Sequence, residues 1–410
     1  MNSELARRIA FTLGALLIYR LGVHIPVPGV NLAAWMHLFD SQAGGILGQI
    51  NVLSGGAVRS LGLFSISLTP YITTAIVLQL ISIASRRLAA LWNDGEAGPR
   101  RFDRCARYGA ALLAAMQAYG IAIGLEEAVG LVSEPGALFR ITTVVTLTGG
   151  TLFLIWLSGQ ITDRGIGNGI ALIFFVGIAT QLPGAISVAL ELGRMGVLSS
   201  GALLSVLLLV VAATAFVVAM ELARRRLPIQ FPERQIGGRT LASQPVDLAI
   251  KLNPAGILPA VLASAVLGWA AALSLLWNSG NSPTGIAANF SHGRPLWLVI
   301  MATLVVLFTF IYAAFVGDPA RAAENLKTHG GVIPNIAPGD ATAEHLDGLL
   351  SRVAAIGAVY LAFLFVLLPE LLITFLAVPL YFGGIPLLTL VCTTLDIETQ
   401  VRGHLETPAR

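Results

Sequence analysis

Charge is scarce in this 410-residue chain: only 11% of its residues are Asp, Glu, Lys or Arg, against about 25% in a soluble globular protein. That scarcity excludes a water-soluble enzyme and a solvated, disordered regulator. Cysteine is nearly absent too. Cys105 and Cys392 cannot build a disulfide framework, and no CxxC or Cys/His cluster is spaced to hold a metal. There is no HExxH, no GxSxG, no Walker-type phosphate loop and no pair of intramembrane carboxylates. Neither a catalytic constellation nor a cofactor site follows, so the chain reads as a non-enzyme. Ionisable groups also avoid the apolar runs: Arg20 and Glu370 lie towards run ends, and the six histidines fall in loops. A secondary transporter buries such groups at midplane for coupling, which makes that class the alternative reading.

What the chain has is length of apolar sequence, 56% hydrophobic residues in all. A bilayer core about 30 Å thick takes roughly 20 apolar residues per helical crossing. Ten runs qualify: 9–23, 68–85, 108–125, 141–157, 170–190, 203–220, 254–276, 295–316, 354–372 and 380–395. The basic-then-apolar start imitates a signal peptide, but no A-x-A-like cleavage site follows, so it is expected to stay as the first helix. Of the 25 Lys and Arg residues, only Arg20, Arg59, Arg140, Arg194 and Arg294 fall at or near one side of this arrangement. The rest lie opposite, and the positive-inside rule sets both termini in the cytoplasm.

Two connections on the basic side, 221–253 and 317–352, are long for a compact bundle and rich in Pro, Gly and charge. They read either as solvated connectors or as a docking platform for a cytoplasmic partner. The stretch 49–69 fits neither span nor loop. It is moderately apolar, holds Gly55, Gly56, Arg59 and Gly62, and runs into Pro70, which breaks a regular helix. A re-entrant half-helix followed by a full helix is one reading; an interfacial loop helix is the other.

Six collinear blocks resemble the SecY family of protein-conducting channels. They are YRLGVHIPVPGV (19–30), LSGGAVRSLGLF with TPYI (53–64 and 69–72), ITDRGIGNGIALI (161–173), KLNPAGILPA (251–260), AENLKTHGGVIPNIAPGDAT (323–342) and YFGG (381–384). The resemblance implies an all-α polytopic membrane protein of ten transmembrane helices in two inverted, pseudo-symmetric halves, 1–196 and 197–410, with a re-entrant plug half-helix over about 53–66. It implies a conduit that passes unfolded secretory polypeptides across the cytoplasmic membrane and releases hydrophobic segments sideways into lipid.

Residue by residue, the resemblance implies an apolar pore ring of Leu68, Ile72, Ile170, Phe174, Val261 and Thr389. A waist that cannot solvate ions empties of water and holds them back. Thr389 departs from the aliphatic residue expected there, unless Leu388 or Leu390 occupies the ring. Gly55, Gly56, Ala57, Val58, Arg59, Ser60 and Leu61 match the plug. Gln79, Gln117 and Asn253 are candidates for polar links across a lateral gate, with ordinary bonds inside the bundle as the other reading. Arg224, Arg225, Arg226, Arg234, Arg239, Lys327, Gly330 and Gly331 match the docking loops for the SecA motor ATPase or a translating ribosome. Ala337 stands where the family usually carries an arginine, which puts the mode of motor coupling in question. SecE and SecG are the implied partner subunits, with signal-sequence-bearing polypeptides and membrane lipid as the other contacts.

Overall fold

In this computed structural model the described residues are all but 1–2, 43–47, 49–50, 53, 93–94, 96, 129, 197, 231–233, 237–238, 242–245, 265, 268–294, 318, 335, 372–382 and 407–410. Apolar runs become helices because lipid offers the backbone no partners, so each N–H and C=O must be satisfied within its own segment. The first half of the chain gives α1 (Ser3–Val23), α2 (Leu32–Gln42), α3 (Thr69–Ala84), α4 (Arg86–Trp92), α5 (Ala97–Glu127), α6 (Ala137–Arg164), α7 (Gly169–Ala179) and α8 (Leu182–Arg194). The second gives α9 (Ser200–Leu222), four short strands, α10 (Pro295–Gly317), α11 (Pro319–Thr328), α12 (Asp340–Ala362) continued by a π turn (Phe363–Leu367), and α13 (Gly384–Glu406).

Six helical stretches among the described residues are long and apolar enough to cross a membrane: Ala97–Glu127, Ala137–Arg164, Gly169–Arg194, Ser200–Leu222, Pro295–Thr328 and Asp340–Leu371. The second expected span is shorter, 16 residues, because it starts only at Thr69, with Pro70 in its first turn. The fifth is interrupted at Thr180 and Gln181, just before Pro183. Of the seventh, residues 258–264 are helical; its outer end, the first residues of the tenth and the Tyr381–Phe382 part of the YFGG block lie outside the described residues.

Contacts divide the chain into two compact units. The first holds Met1–Ser205 and Pro386–Arg410, and the second holds Val206–Phe375. In the first unit α5 packs against both α3 and α6. The face it turns to them is a file of alanines, Ala106, Ala110, Ala114, Ala118 and Ala122, none with any exposed surface. Alanines four apart stack on one side of a helix and let backbones approach closely. In the second unit α10 packs along α12.

The exception to helix is the connection 221–253. Strands β1 (Arg224–Ile229) and β4 (Val246–Lys251) pair antiparallel, from Arg224 opposite Lys251 to Ile229 opposite Val246, and β2 (Arg234–Ile236) pairs with β3 (Arg239–Leu241). These strands were not legible as spans because they are short and polar.

Candidate plug, pore and docking sites

The expected plug half-helix is a run of tight turns from Ser54 to Leu68. The correction has a local cause: serine hydroxyls bond nearby backbone and compete with the helical ladder. Ser54 Oγ donates to Asn51 O and accepts from Val58 N, while Ser65 Oγ donates to Gly62 O at 2.6 Å. Leu61 (φ 40) and Ser67 (φ 59) also take left-handed backbone, which no α-helix contains.

This turn cluster is fastened on every side within the first unit. From α1, the Tyr19 hydroxyl donates to Ser54 O at 3.1 Å and Arg20 Nη1 to Gly55 O at 2.7 Å. Ser60 Oγ donates to Val23 O at 2.7 Å, and the segment after α1 pairs with it through Val27 N to Leu61 O and Leu63 N to Ile25 O. Gly55, at φ 69, meets the Tyr19 hydroxyl and the backbone of Gly177, so any Cβ there would collide. Arg59 is exposed and pairs with Asp40 of α2 at 3.2 Å. Its backbone N–H donates to Asn51 Oδ1 at 2.8 Å.

Three expected ring residues share one apolar core with the plug. Leu68 is wholly buried among Tyr19, Ala57, Phe64, Leu172 and Ile173, and half-buried Ile170 and Phe174 pack onto the same cluster. Asn168 fixes Ile170 in place by capping α7: its Oδ1 accepts from Ile170 N at 3.0 Å and Ala171 N at 3.4 Å. Leu68 O receives the N–H groups of Tyr71 and Ile72, which starts α3 at the edge of that core. Ile72 is half-buried on α3, and Thr389 is half-buried on α13 beside fully buried Leu388. Val261 lies on the helical stretch 258–264 of the second unit.

The gate candidates lie on different elements. Gln79 sits half-buried on α3 and Gln117 half-buried on α5. Asn253 is 3% exposed in the second unit, and its amide is already engaged: Nδ2 donates to Glu221 Oε1 at 2.8 Å and Oδ1 accepts from Gly256 N at 3.0 Å.

The two long basic-side loops form one small folded body. Gln230 and Val332 exchange both backbone bonds, at 2.9 and 2.8 Å, and Leu227, Ile333 and Leu346 make a private core. Arg224, Arg225 and Arg226 are exposed on β1, and Arg224 stands directly opposite Lys251. Like charges facing each other across a ladder repel. Arg234 and Arg239 occupy β2 and β3. Lys327 is exposed in the last turn of α11. Gly330 (φ 74) and Gly331 close that helix as a Schellman motif, through Gly330 N to Lys327 O and Gly331 N to Leu326 O. Ala337 is exposed, and its carbonyl accepts from Thr342 Oγ1.

Outside these sites, Glu126 at the end of α5 accepts from Gly136 N at 2.9 Å and pairs with Arg140 at 2.7 Å. Chiefly that backbone N–H, and then Arg140, hold its carboxyl below the ordinary glutamate value. Sequence reasoning missed this clasp, which joins the ends of α5 and α6, and also α2, which is too short to register as a span. Among the described residues no group of His, Cys, Asp or Glu is arranged to hold a metal.

The SecY family profile matches residues 62–398. Protein translocase subunit SecY of Escherichia coli (strain K12) is 40% identical over 405 residues, 97% of this chain and 91% of that protein. The same subunit of Rickettsia felis is 38% identical over 409 residues, 98% and 94% of the two chains. Among solved structures, one described as the structure of a protein conducting channel superposes with a TM-score of 0.68 at 16% identity, covering 99% of this chain and 95% of that one. Sec61 in the canine ribosome-channel complex gives 0.62 at 16% identity over 99% and 95%. The secondary-transporter alternative finds no support among these relatives.

Proposed function

The chain belongs to the SecY family and is a multi-pass membrane subunit of a protein-conducting translocation channel; from that premise we propose how it works. Its conduit is closed by a ring of Leu68, Ile72, Ile170, Phe174, Val261 and Thr389 and, outside it, by the turn-rich plug around residues 54–66. An unfolded polypeptide displaces the plug and threads the ring. Ions stay out because apolar walls give them no substitute for their water.

One observation carries this reading: Leu68, Ile170 and Phe174 share a core with Ala57 and Phe64 of the plug segment. A stopper must sit directly on the collar it seals. The two halves, 1–196 and 197–410, part at a lateral gate that Gln79, Gln117 and Asn253 tune, and signal sequences leave through it into lipid.

The basic body formed by the two long loops is the docking surface, with Arg224, Arg225, Arg226, Arg234, Arg239 and Lys327 facing the cytoplasm. One neighbour in fold is a channel bound to a ribosome, and RNA phosphate is the chemistry such a surface attracts. The SecA motor is the other partner, and either it or chain elongation supplies the energy; the subunit itself performs no catalysis. SecE clamps the halves and SecG lies at the periphery. The protein resides in the bacterial cytoplasmic membrane with both termini inside, as the distribution of arginine favours.

The test places a cysteine at Ile72 and another in a stalled secretory precursor. A disulfide between them is the expected result. If no position of the candidate ring crosslinks, the conduit lies elsewhere.

A further inference from the structure

We propose that α2 is a latch that holds the plug shut, with Trp35 as its bolt and Asp40 as its second catch. The inference rests on the plug reading above and goes beyond it, because a stopper that must move also needs something fixed to let go of.

The fixed side is built by the N-terminus of α2. Asn31 N donates to Leu131 O in the connection between α5 and α6 at 2.8 Å, and Asn31 Oδ1 accepts from Ala34 N at 3.3 Å. The latch is thus tied to the frame and capped by the same residue. The moving side is met by two side chains one turn and more along. Trp35, 8% exposed, donates its Nε1–H to Val58 O at 2.9 Å, and Arg59 Nη2 donates to Asp40 Oδ2 at 3.2 Å. The indole also packs in a core that Val58 and Leu61 of the plug share with Ala118, Phe139 and Leu147 of the frame.

The two links are unequal. A buried indole N–H that loses its acceptor forfeits a hydrogen bond and leaves a polar group in an apolar pocket. The Asp40–Arg59 pair is more than half exposed on both sides and is screened by solvent. Of the two α2 links Trp35 is therefore the stronger and Asp40 trims it. Displacement of the plug breaks both links while α2 stays on the frame.

The experiment measures ion conductance of the idle channel, purified with its native partner subunits and reconstituted in planar bilayers. Trp35→Phe keeps an aromatic ring and removes the donor, and is expected to raise the leak by about two- to tenfold. Asp40→Asn is expected to raise it about twofold, and the charge swap Asp40→Arg with Arg59→Asp to restore it. In a channel lacking 54–66 neither substitution should add to the leak. Unchanged conductance in Trp35→Phe, or a further rise in the plug-less channel, overturns the latch. Should removal of 54–66 itself leave conductance unaltered, the plug reading fails instead, so the two outcomes are separable.

Discussion

Tyr19 of α1 and Phe64 of the plug segment lie with ring centroids 5.9 Å apart and planes inclined by 20°, and Phe64 in turn stacks on Phe153 of α6 at 6.0 Å with planes 2° apart. One plug side chain is thereby held between two helices. Behind it stands Gly22, where any Cβ would run into the Phe64 ring. The seat for Phe64 exists because α1 has no side chain there.

Phe64→Ala empties that seat. Truncation of a buried phenylalanine costs about 3–5 kcal/mol, and here it also loosens the stopper. The expected outcome is a lower melting temperature in detergent together with raised idle conductance. A melting temperature equal to that of the parent would contradict the packing described.

Replacement of Thr389 by isoleucine adds an aliphatic side chain to the proposed waist. A drier collar raises the dewetting barrier, so conductance of the plug-less channel should fall while translocation of a precursor is retained. No change in conductance would remove α13 from the ring.

The clasp between Glu126 and Arg140 predicts a stability that depends on acid. The folded carboxyl titrates below the ordinary glutamate value of 4.5, so its contribution is complete above that value. It is lost as pH falls from there through the depressed folded value. Melting temperature followed across that window should drop more steeply for the parent than for Glu126→Gln; parallel curves would refute the assignment.

Removing the cations of β1 by Arg224→Ala, Arg225→Ala and Arg226→Ala should weaken ribosome binding in a way that salt reveals. Each lost phosphate contact lowers the slope of log affinity against log salt by roughly 0.9. Cosedimentation across a salt series checks this, and an unaltered slope would point to a docking surface elsewhere.

Gly330→Ala forces a side chain into left-handed backbone at a cost of roughly 1–2 kcal/mol. Amide exchange in the last turn of α11 should accelerate while the transmembrane helices keep their protection. If exchange there is unaffected, the glycine serves binding and not the cap.

The long helices were legible because hydrophobic runs near bilayer length admit few other structures. The choice of Leu68, Ile170 and Phe174 came from motif register; the three share one apolar core. The plug's real form was hidden. Apolar content and glycine suggested a half-helix, but its shape depends on where Ser54 and Ser65 aim their hydroxyls and on two left-handed residues, and no periodicity encodes that. α2 escaped notice because 11 residues are too few to span. The strand ribbon did too, since its pairing joins Arg224 to Lys251 across 26 intervening positions.

The alanine file on α5 bears on how α3 and α6 move against it. Methyl groups present no knob deep enough to interlock, so a helix seated on them glides along or rolls about its own axis with little ratcheting. Thr74 pressed against Gly109 adds one smooth bearing more. Helices packed this way inside the first unit shift by slippage, without first having to unpack a row of bulky teeth.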